Sequence, residues 1–306
     1  MEITGFDPRD LKMCHVATLA DLGYRTTVTV ANGFTGGRVP RDDVDVSLEI
    51  RSPEGDPIFA RELMSIVPGD YAVIDLSREL DLHGVESSCD VLATIRLCPA
   101  RYRGVDAIDV SAAEVIGHVS VSDEYVEYSS EQWNVAGGLA YQSLPVNDSR
   151  FGGTRSTLMQ SPKVLVDDDL DTHLLLLNVS TEPGYDRSLT FDLALLAADG
   201  DRLAAVELLV PPNGFRRLSV RDLLRSEGAF EHFVDLGGFG MAVGSSVAGT
   251  IVPISVTRSD RSKGLACDHT LPPTYYLPWW GGEIKKAANT RLRTVLFGRE
   301  QSGLIS

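Results

Sequence analysis

The chain has 306 residues, 43% hydrophobic and 23% charged, a balance typical of a globular protein large enough for two hydrophobic cores. Its formal net charge of −15, from 43 acidic and 28 basic residues, disfavours nucleic-acid and membrane partners, because an acidic surface repels phosphate groups. No apolar run approaches the roughly 20 residues of a transmembrane helix, and the polar N-terminus does not resemble a secretory signal. These features predict a cytoplasmic protein without a membrane span.

The first half of the chain predicts β-strands separated by turns, after a polar lead-in of residues 1–10. Apolar side chains alternate with polar ones most clearly in Val44–Ile50, and Pro53–Asp56 is a hairpin signal. The other strands are predicted at Thr26–Ala31, Ile58–Ile66, Val91–Leu97 and within Ala107–Val121.

A compact turn, Pro68-Gly69-Asp70-Tyr71, is followed by a short strand and then by one predicted helical turn, Ser77–Leu80. Asp75 stands where an N-cap residue accepts a hydrogen bond from the first turn of a helix.

The second half resembles the first. When Met159–Asn178 is aligned with Met13–Asn32 without a gap, five of the twenty positions are identical. The identical pairs are Met13/Met159, Leu19/Leu165, Asp21/Asp167, Thr26/Thr172 and Asn32/Asn178. This agreement predicts an internal duplication.

The order of elements also recurs. Leu189–Leu195 takes the place of Val44–Ile50, a turn at Asp199-Gly200-Asp201 follows, and Pro212–Phe215 replaces Pro68–Tyr71. Ser219 is then predicted to cap a short helix at Val220–Glu227, and Ala248–Val256 is matched with Val91–Leu97. No other helix is expected, and Thr294–Phe297 is predicted to be an edge strand.

The predicted fold is all-β: two tandem immunoglobulin-like β-sandwich domains that arise from an internal duplication, with only short helical turns. The chain divides into residues 1–10 (lead-in), 11–133 (first repeat), 134–157 (linker), 158–282 (second repeat) and 283–306 (basic tail). The cysteine pair and the core tryptophan of true immunoglobulin domains are missing.

Two histidines are candidate site residues. His118 is followed seven residues later by Tyr125, and His269 is followed by Tyr275 and Tyr276, so each histidine has a tyrosine nearby for ligand binding or proton transfer. The structural alternative is a buried histidine that hydrogen-bonds to the backbone. The remaining histidines show no metal-ligand spacing relative to these two.

An aromatic cluster, Tyr275-Tyr276-Leu277-Pro278-Trp279-Trp280, is the second candidate. Tyr275, Tyr276, Trp279 and Trp280 offer large area with polar edges, which suits sugar stacking or a protein contact. Packing of a terminal loop against the sandwich is the alternative.

Asp167, Asp169 and Asp171 place carboxylates at alternating positions, which makes them weak candidates for a calcium site. Thr172 and Asn178 stand where a helix-loop-helix calcium loop needs Gly and Glu, so a solvated turn is favoured and no metal or cofactor is expected.

No nucleophile elbow, phosphate-binding loop or dinucleotide loop is present. The leading hypothesis is therefore a non-catalytic structural or protein-interaction module, with a protein partner or self-association. A carbohydrate or small-molecule binder using Tyr275–Trp280 is the first alternative. An enzyme with a site between the repeats, involving His118 and His269, is the second.

Overall fold

A computed structural model describes residues 12–33, 42–86, 88–102, 124–141, 147, 157–180, 182, 184–269 and 282–298. The chain forms two compact units. Unit 1 consists of Met1–Gly153, Val179–Arg187 and Pro211–Phe215, and unit 2 consists of Thr154–Asn178, Ser188–Val210 and Arg216–Ser306.

Antiparallel strands dominate the described residues. The first eight are β1 (Lys12–Ala17), β2 (Arg25–Ala31), β3 (Val44–Arg51), β4 (Pro57–Ile66), β5 (Tyr71–Asp75), β6 (Leu92–Pro99), β7 (Glu124–Ser130) and β8 (Val135–Tyr141). The next eight are β9 (Thr157–Leu165), β10 (Leu170–Asn178), β11 (Leu189–Ala197), β12 (Arg202–Val210), β13 (Gly214–Ser219), β14 (Phe239–Ser246), β15 (Val252–Ser259) and β16 (Leu265–His269). The helices are α1 (Leu76–Leu82), α2 (Val220–Ser226), α3 (Phe230–Asp235) and α4 (Gly282–Phe297).

These strands form four sheets, and the same strand order occurs twice. Sheet A is β1-β6-β3-β4 and sheet B is β5-β2-β7-β8. Sheet C is β9-β14-β11-β12 and sheet D is β13-β10-β15-β16, so each strand of the second set takes the place of the strand eight numbers earlier. The predicted all-β, sandwich-like fold is confirmed.

The core of unit 2 lies between sheets C and D. Phe191, Leu193 and Leu195 on β11 are buried together with Leu174 and Leu176 on β10. In unit 1 the alternation of β3 has the same result, because Val44, Val46, Leu48 and Ile50 are all buried while their neighbours remain half-exposed.

A buried asparagine joins the two sheets at one end of each pair. The side-chain amide of Asn32, which follows β2, donates to the carbonyl of Ile66 at the end of β4, at 3.0 Å. Asn178 on β10 makes the equivalent bond to the carbonyl of Val210 on β12, at 3.1 Å. An unsatisfied buried carbonyl costs about 1–3 kcal/mol, so both amides stabilise the ends of these strands.

Both predicted helical turns and their caps are confirmed. The side chain of Asp75 accepts a hydrogen bond from the backbone N–H of Arg78 at the start of α1, at 3.1 Å. The Ser219 hydroxyl accepts one from the N–H of Asp222 at the start of α2, at 3.0 Å. The helix α3 was not predicted.

The chain end differs from the sequence prediction. Thr294–Phe297, expected to be an edge strand, forms the end of the 16-residue helix α4. Arg293 of α4 pairs with the buried carboxylate of Asp192 on β11 at 2.9 Å, and Arg202 donates to the carbonyl of Leu296. Arg293 therefore anchors this helix to its own unit, because Asp192 supplies an acidic partner there.

The predicted match between Ala248–Val256 and Val91–Leu97 is wrong. By strand order the counterpart of β6 is β14, and β15 instead takes the place of β7. The segment predicted as a linker, 134–157, contains β8 and the first residue of β9.

Two hairpin turns have the same backbone geometry but different surroundings. Gly55 between β3 and β4 has φ +91° and Gly200 between β11 and β12 has φ +93°. The N–H of Gly55 donates to the Ser52 carbonyl, and that of Gly200 donates to the Ala197 carbonyl. A Cβ on Gly55 would lie 2.0 Å from the carbonyl oxygen of Pro212, whereas nothing lies within 4 Å at Gly200.

We expect Gly200→Ala to lower the free energy of unfolding by about 1 kcal/mol, because alanine tolerates a positive φ poorly. Gly55→Ala adds the same strain to a backbone clash and should lower it by about 2–4 kcal/mol. Urea denaturation of both variants checks this, and equal losses would contradict the close contact at Gly55.

Replacing Arg293 by Met should lower the free energy of unfolding of unit 2 by about 1.5–3 kcal/mol, because the buried carboxylate of Asp192 loses its charged hydrogen bond to Arg293. The double variant Asp192→Asn with Arg293→Met should regain part of this loss. Arg291→Met, on an exposed position of the same helix, is the matched control and should change little. Urea denaturation of the three variants measures these differences.

Candidate functional site

Most of the sequence-predicted site residues lie outside the described residues: His118, Tyr275, Tyr276, Trp279 and Trp280. His269 is the last residue of β16 and is opposite Ile254 of β15. His118 precedes β7 in the chain whereas His269 ends the counterpart of β8, so the two histidines are not equivalent by strand order.

The acidic run between β9 and β10 serves as a set of backbone and hydroxyl acceptors. Asp167 accepts hydrogen bonds from the N–H groups of Asp169 and Leu170, at 2.7 and 2.6 Å. Asp169 accepts from the Ser259 hydroxyl at 3.0 Å and from the N–H of Arg261 at 2.7 Å. These bonds hold the β9–β10 turn against the end of β15.

Asp171 joins β10 to the start of α2. Its carboxylate accepts from the Ser219 hydroxyl at 2.7 Å and from the N–H of Arg221 at 3.0 Å. Within the part of the chain that the structure describes, no group of three or more histidine, cysteine or acidic side chains has the arrangement of a metal site.

Arg221 is the basic centre of this acidic cluster. It pairs with Asp260, which Arg258 also approaches at 3.6 Å. The hydrogen bond from Arg221 lowers the pKa of Asp260. Burial acts to lower the pKa of Arg221, but the hydrogen bond to Asp260 and the charges of Asp171 and Asp260 outweigh it and raise that pKa. Both side chains therefore stay charged, as a structural ion pair needs.

His15 on β1 is the most strongly perturbed base. Its ring is 3% exposed, Nδ1 lies 3.0 Å from the Thr94 hydroxyl, and Nε2 has no hydrogen-bond partner among the described residues. Burial, assisted by the charge of Arg96, lowers its pKa from 6.5 to about 3. The ring is neutral at physiological pH and too deeply buried to reach a substrate.

The half-buried thiols of Cys98 and Cys267 are not activated nucleophiles. Burial raises the pKa of Cys267 to about 12, and burial together with the charge of Asp45 raises that of Cys98. A thiolate nucleophile needs the opposite shift.

One surface feature was missed by the sequence analysis. The outer face of sheet B exposes an apolar group that we call the Tyr71 patch: Tyr71 and Val73 on β5 and Tyr125 on β7, which are 65%, 56% and 42% exposed. Val73 and Tyr125 lie on either side of Thr29 of β2 in one row across the sheet, and Tyr71, opposite Ala31, lies on the same face in the next row. Alternation along β5 separates Tyr71 and Val73 from the buried Ile74, but only the pairing with β2 shows which set faces outward.

None of the described strands pairs with the outer edge of β5. The N–H of Asn32 donates to the carbonyl of Asp70, so in an antiparallel pair the polar backbone groups of Tyr71 and Val73 point away from β2. The N–H of Tyr71 is capped by the side chain of Asp70 at 2.8 Å. An apolar face beside an unpaired strand edge is the kind of surface that another protein can cover.

No family model matches the chain, and no curated protein matches it. Among solved structures, it is similar to a glycosyl hydrolase family 2 member from Bacteroides cellulosilyticus DSM 14838, at 8% identity over 84% of this chain and 27% of that chain, with a TM-score of 0.18. A putative beta-galactosidase from Bacteroides fragilis gives 9% identity over 84% and 32%, with a TM-score of 0.17. A Ruminococcus gnavus beta-glucuronidase gives 11% over 84% and 33%, with a TM-score of 0.15.

The chain spans about a third or less of the length of these structures. At such TM-scores and identities the likenesses carry no argument about activity. What the chain's own strands define is the class, a mostly antiparallel β protein with sandwich-like sheets. None of the described helices is long and apolar enough to cross a membrane.

The buried His15 predicts an acid-sensitive unit 1. Between pH 6.5 and about 3 the unfolded chain binds a proton that the folded chain does not, so the free energy of unfolding should fall as the pH is lowered through this window. His15→Gln removes the titrating ring and should flatten this part of the profile. Urea denaturation at a series of pH values measures it.

Thr94→Val is the control. It removes the hydroxyl beside His15 but keeps the ring, so it should lower stability at every pH and preserve the slope. A His15→Gln variant with the wild-type slope would show that other groups cause the acid sensitivity.

Proposed function

We propose that this β-sandwich protein is a non-catalytic protein-interaction module that binds a partner protein through the Tyr71 patch. The observation that carries the proposal is the exposure of three large apolar side chains on one face of sheet B, next to the outer edge of β5, which pairs with no described strand. Tyrosine is well suited to such a surface, since its ring provides contact area and its hydroxyl a hydrogen bond.

The charges around the patch indicate the chemistry of the partner. Exposed Asp70 and half-buried Glu127 lie next to the patch residues, and Arg25 is already paired with Asp75 and Glu131. The border is therefore acidic, in a chain with a net charge of −15. We infer a partner with an apolar contact surface surrounded by Lys or Arg; a second copy would bring the same acidic border and be repelled.

The candidate chemical groups of the described residues support a non-catalytic role. The Asp167–Asp171 carboxylates are used in hydrogen bonds that hold turns, His15 is buried, and the Cys98 and Cys267 thiols have raised pKa values.

Val73→Glu tests the proposal, because it places a carboxylate within the Tyr71 patch without changing the core. The full chain is immobilised and used to isolate binding proteins from its source cells, and each recovered protein is purified and titrated by calorimetry. We expect Val73→Glu to weaken the binding at least about tenfold, equivalent to about 1.4 kcal/mol. Added salt should weaken wild-type binding, since the border contacts are ionic.

Leu82→Glu is the matched control, since Leu82 on α1 is 62% exposed and lies outside the patch. It should bind the partner as the wild type does. A purified partner that binds Val73→Glu with wild-type affinity would exclude the patch as the docking surface.

A further inference from the structure

A contact inside unit 1 shows how a hairpin turn can bind the loop that leads into a strand. The turn Pro53–Asp56 lies against the loop Pro211–Phe215: the N–H of Phe215 donates to the carbonyl of Pro53 at 3.0 Å. Two glycines permit the approach. A Cβ on Gly55 would lie 2.0 Å from the Pro212 oxygen, and one on Gly214 would lie 2.4 Å from the Pro53 oxygen.

The chain contains a second turn and a second loop with the same local structure. The turn at Gly200 repeats the hydrogen bonds and the positive φ of the turn at Gly55. The loop Val67–Tyr71 precedes β5 as Pro211–Phe215 precedes β13, which takes the place of β5 in sheet D.

The two loops also share their internal bonds. The N–H of Asp70 donates to the Val67 carbonyl at 3.1 Å, and the N–H of Gly214 donates to the Pro211 carbonyl at 3.3 Å. The residue before each donor has a positive φ, 84° at Gly69 and 50° at Asn213.

The second turn and the second loop are both unoccupied among the described residues. Nothing lies within 4 Å of a Cβ built on Gly200 or on Gly69. If they bound each other between two copies, each copy would offer one turn and one loop, and such a head-to-tail contact produces a closed ring or an open filament of copies.

One residue separates the occupied loop from the open one. Where the first has Gly214, the second has Asp70, whose Cβ falls at the position that the contact requires to be empty. The Asp70 carboxylate also accepts the N–H of Tyr71 at 2.8 Å, which is the bond that the Pro53 carbonyl makes to Phe215 in the occupied loop. Asp70 therefore occupies the space that a docking turn would need. Its carboxylate also accepts the hydrogen bond from the N–H of Tyr71 that such a turn would otherwise accept.

We infer that the loop Val67–Tyr71 is a latent acceptor for the Gly200 turn of a second copy, and that Asp70 closes it and prevents head-to-tail self-association. The loop shares Tyr71 with the Tyr71 patch, but this inference predicts contacts between copies only and does not depend on the partner proposed for that patch.

Asp70→Gly tests it in the full chain by sedimentation velocity, at concentrations from about 5 to about 500 µM, a range that detects micromolar to millimolar dissociation constants. The wild type should sediment as a monomer throughout. Asp70→Gly should show a weight-average sedimentation coefficient that rises with concentration and passes the dimer value. Far-UV circular dichroism confirms that the variant is folded.

Two further variants identify the contact. Asp70→Ala keeps the Cβ and removes only the carboxylate, so it should remain a monomer. Gly200→Ala, introduced into Asp70→Gly, adds a methyl group where the docking turn needs none and should restore the monomer. An Asp70→Gly chain that stays monomeric overturns the inference, as does association that is equal in Asp70→Ala or persists with Gly200→Ala.

Discussion

The bonds from Asn32 and Asn178 to a carbonyl of the other sheet are the constraint on which each sheet pair depends. A sandwich needs its two sheets in one relative register, and apolar packing alone specifies that register weakly because it lacks direction. The amide supplies the direction: each asparagine is buried and donates to the last residue of β4 or β12. Asn32 also donates to the carbonyl of Asp42 at 2.9 Å, so one side chain secures both the end of β4 and the residues just before β3.

The outward faces of the equivalent sheets A and C differ in polarity, and this difference explains the position of the C-terminal helix α4. The outward face of sheet A contains Glu49 and Arg96, which form an ion pair at 3.2 Å and are compatible with contact to solvent. On sheet C the corresponding rows contain Ala194 opposite Val243, both buried, and Asp192 opposite Ser245. Such a face needs a cover, and α4 contacts β11 there. The Arg293–Asp192 pair then fixes the helix by an ion pair that burial makes costly to break.

Side chains that stabilise the fold can be told apart from side chains that remain exposed to a partner. Side chains that suggested a site, such as the Asp167–Asp171 carboxylates, are engaged in holding turns and strand ends. The strand β13 at the edge of sheet D has Arg217 at the position that Val73 occupies on β5 at the edge of sheet B. A charged edge strand resists association, whereas the apolar edge of β5 permits it, and Asp70 restricts what approaches one end of that edge.

The sequence by itself determined the features that depend on near neighbours in the chain. Alternation places β3 within one residue of its observed end, and the caps Asp75 and Ser219 mark the starts of α1 and α2, because a cap and a strand period are local properties. The all-β class followed from the sum of such local signals. The turns at Gly55 and Gly200 were also predicted from the sequence, because a positive φ at these positions favours glycine.

Only the tertiary structure decided which strands pair, which face is covered and which residue is exposed. The order of the sheets places β14, and not β15, as the counterpart of β6, since pairing depends on contacts between residues far apart in the chain. The segment of α4 was predicted to be a basic tail with an edge strand at Thr294–Phe297, because the sequence does not show that Asp192 of a distant strand is a partner of Arg293. Tyr71 and Val73 alternate like any half-buried strand, and their exposure follows from the absence of a cover that local sequence does not encode.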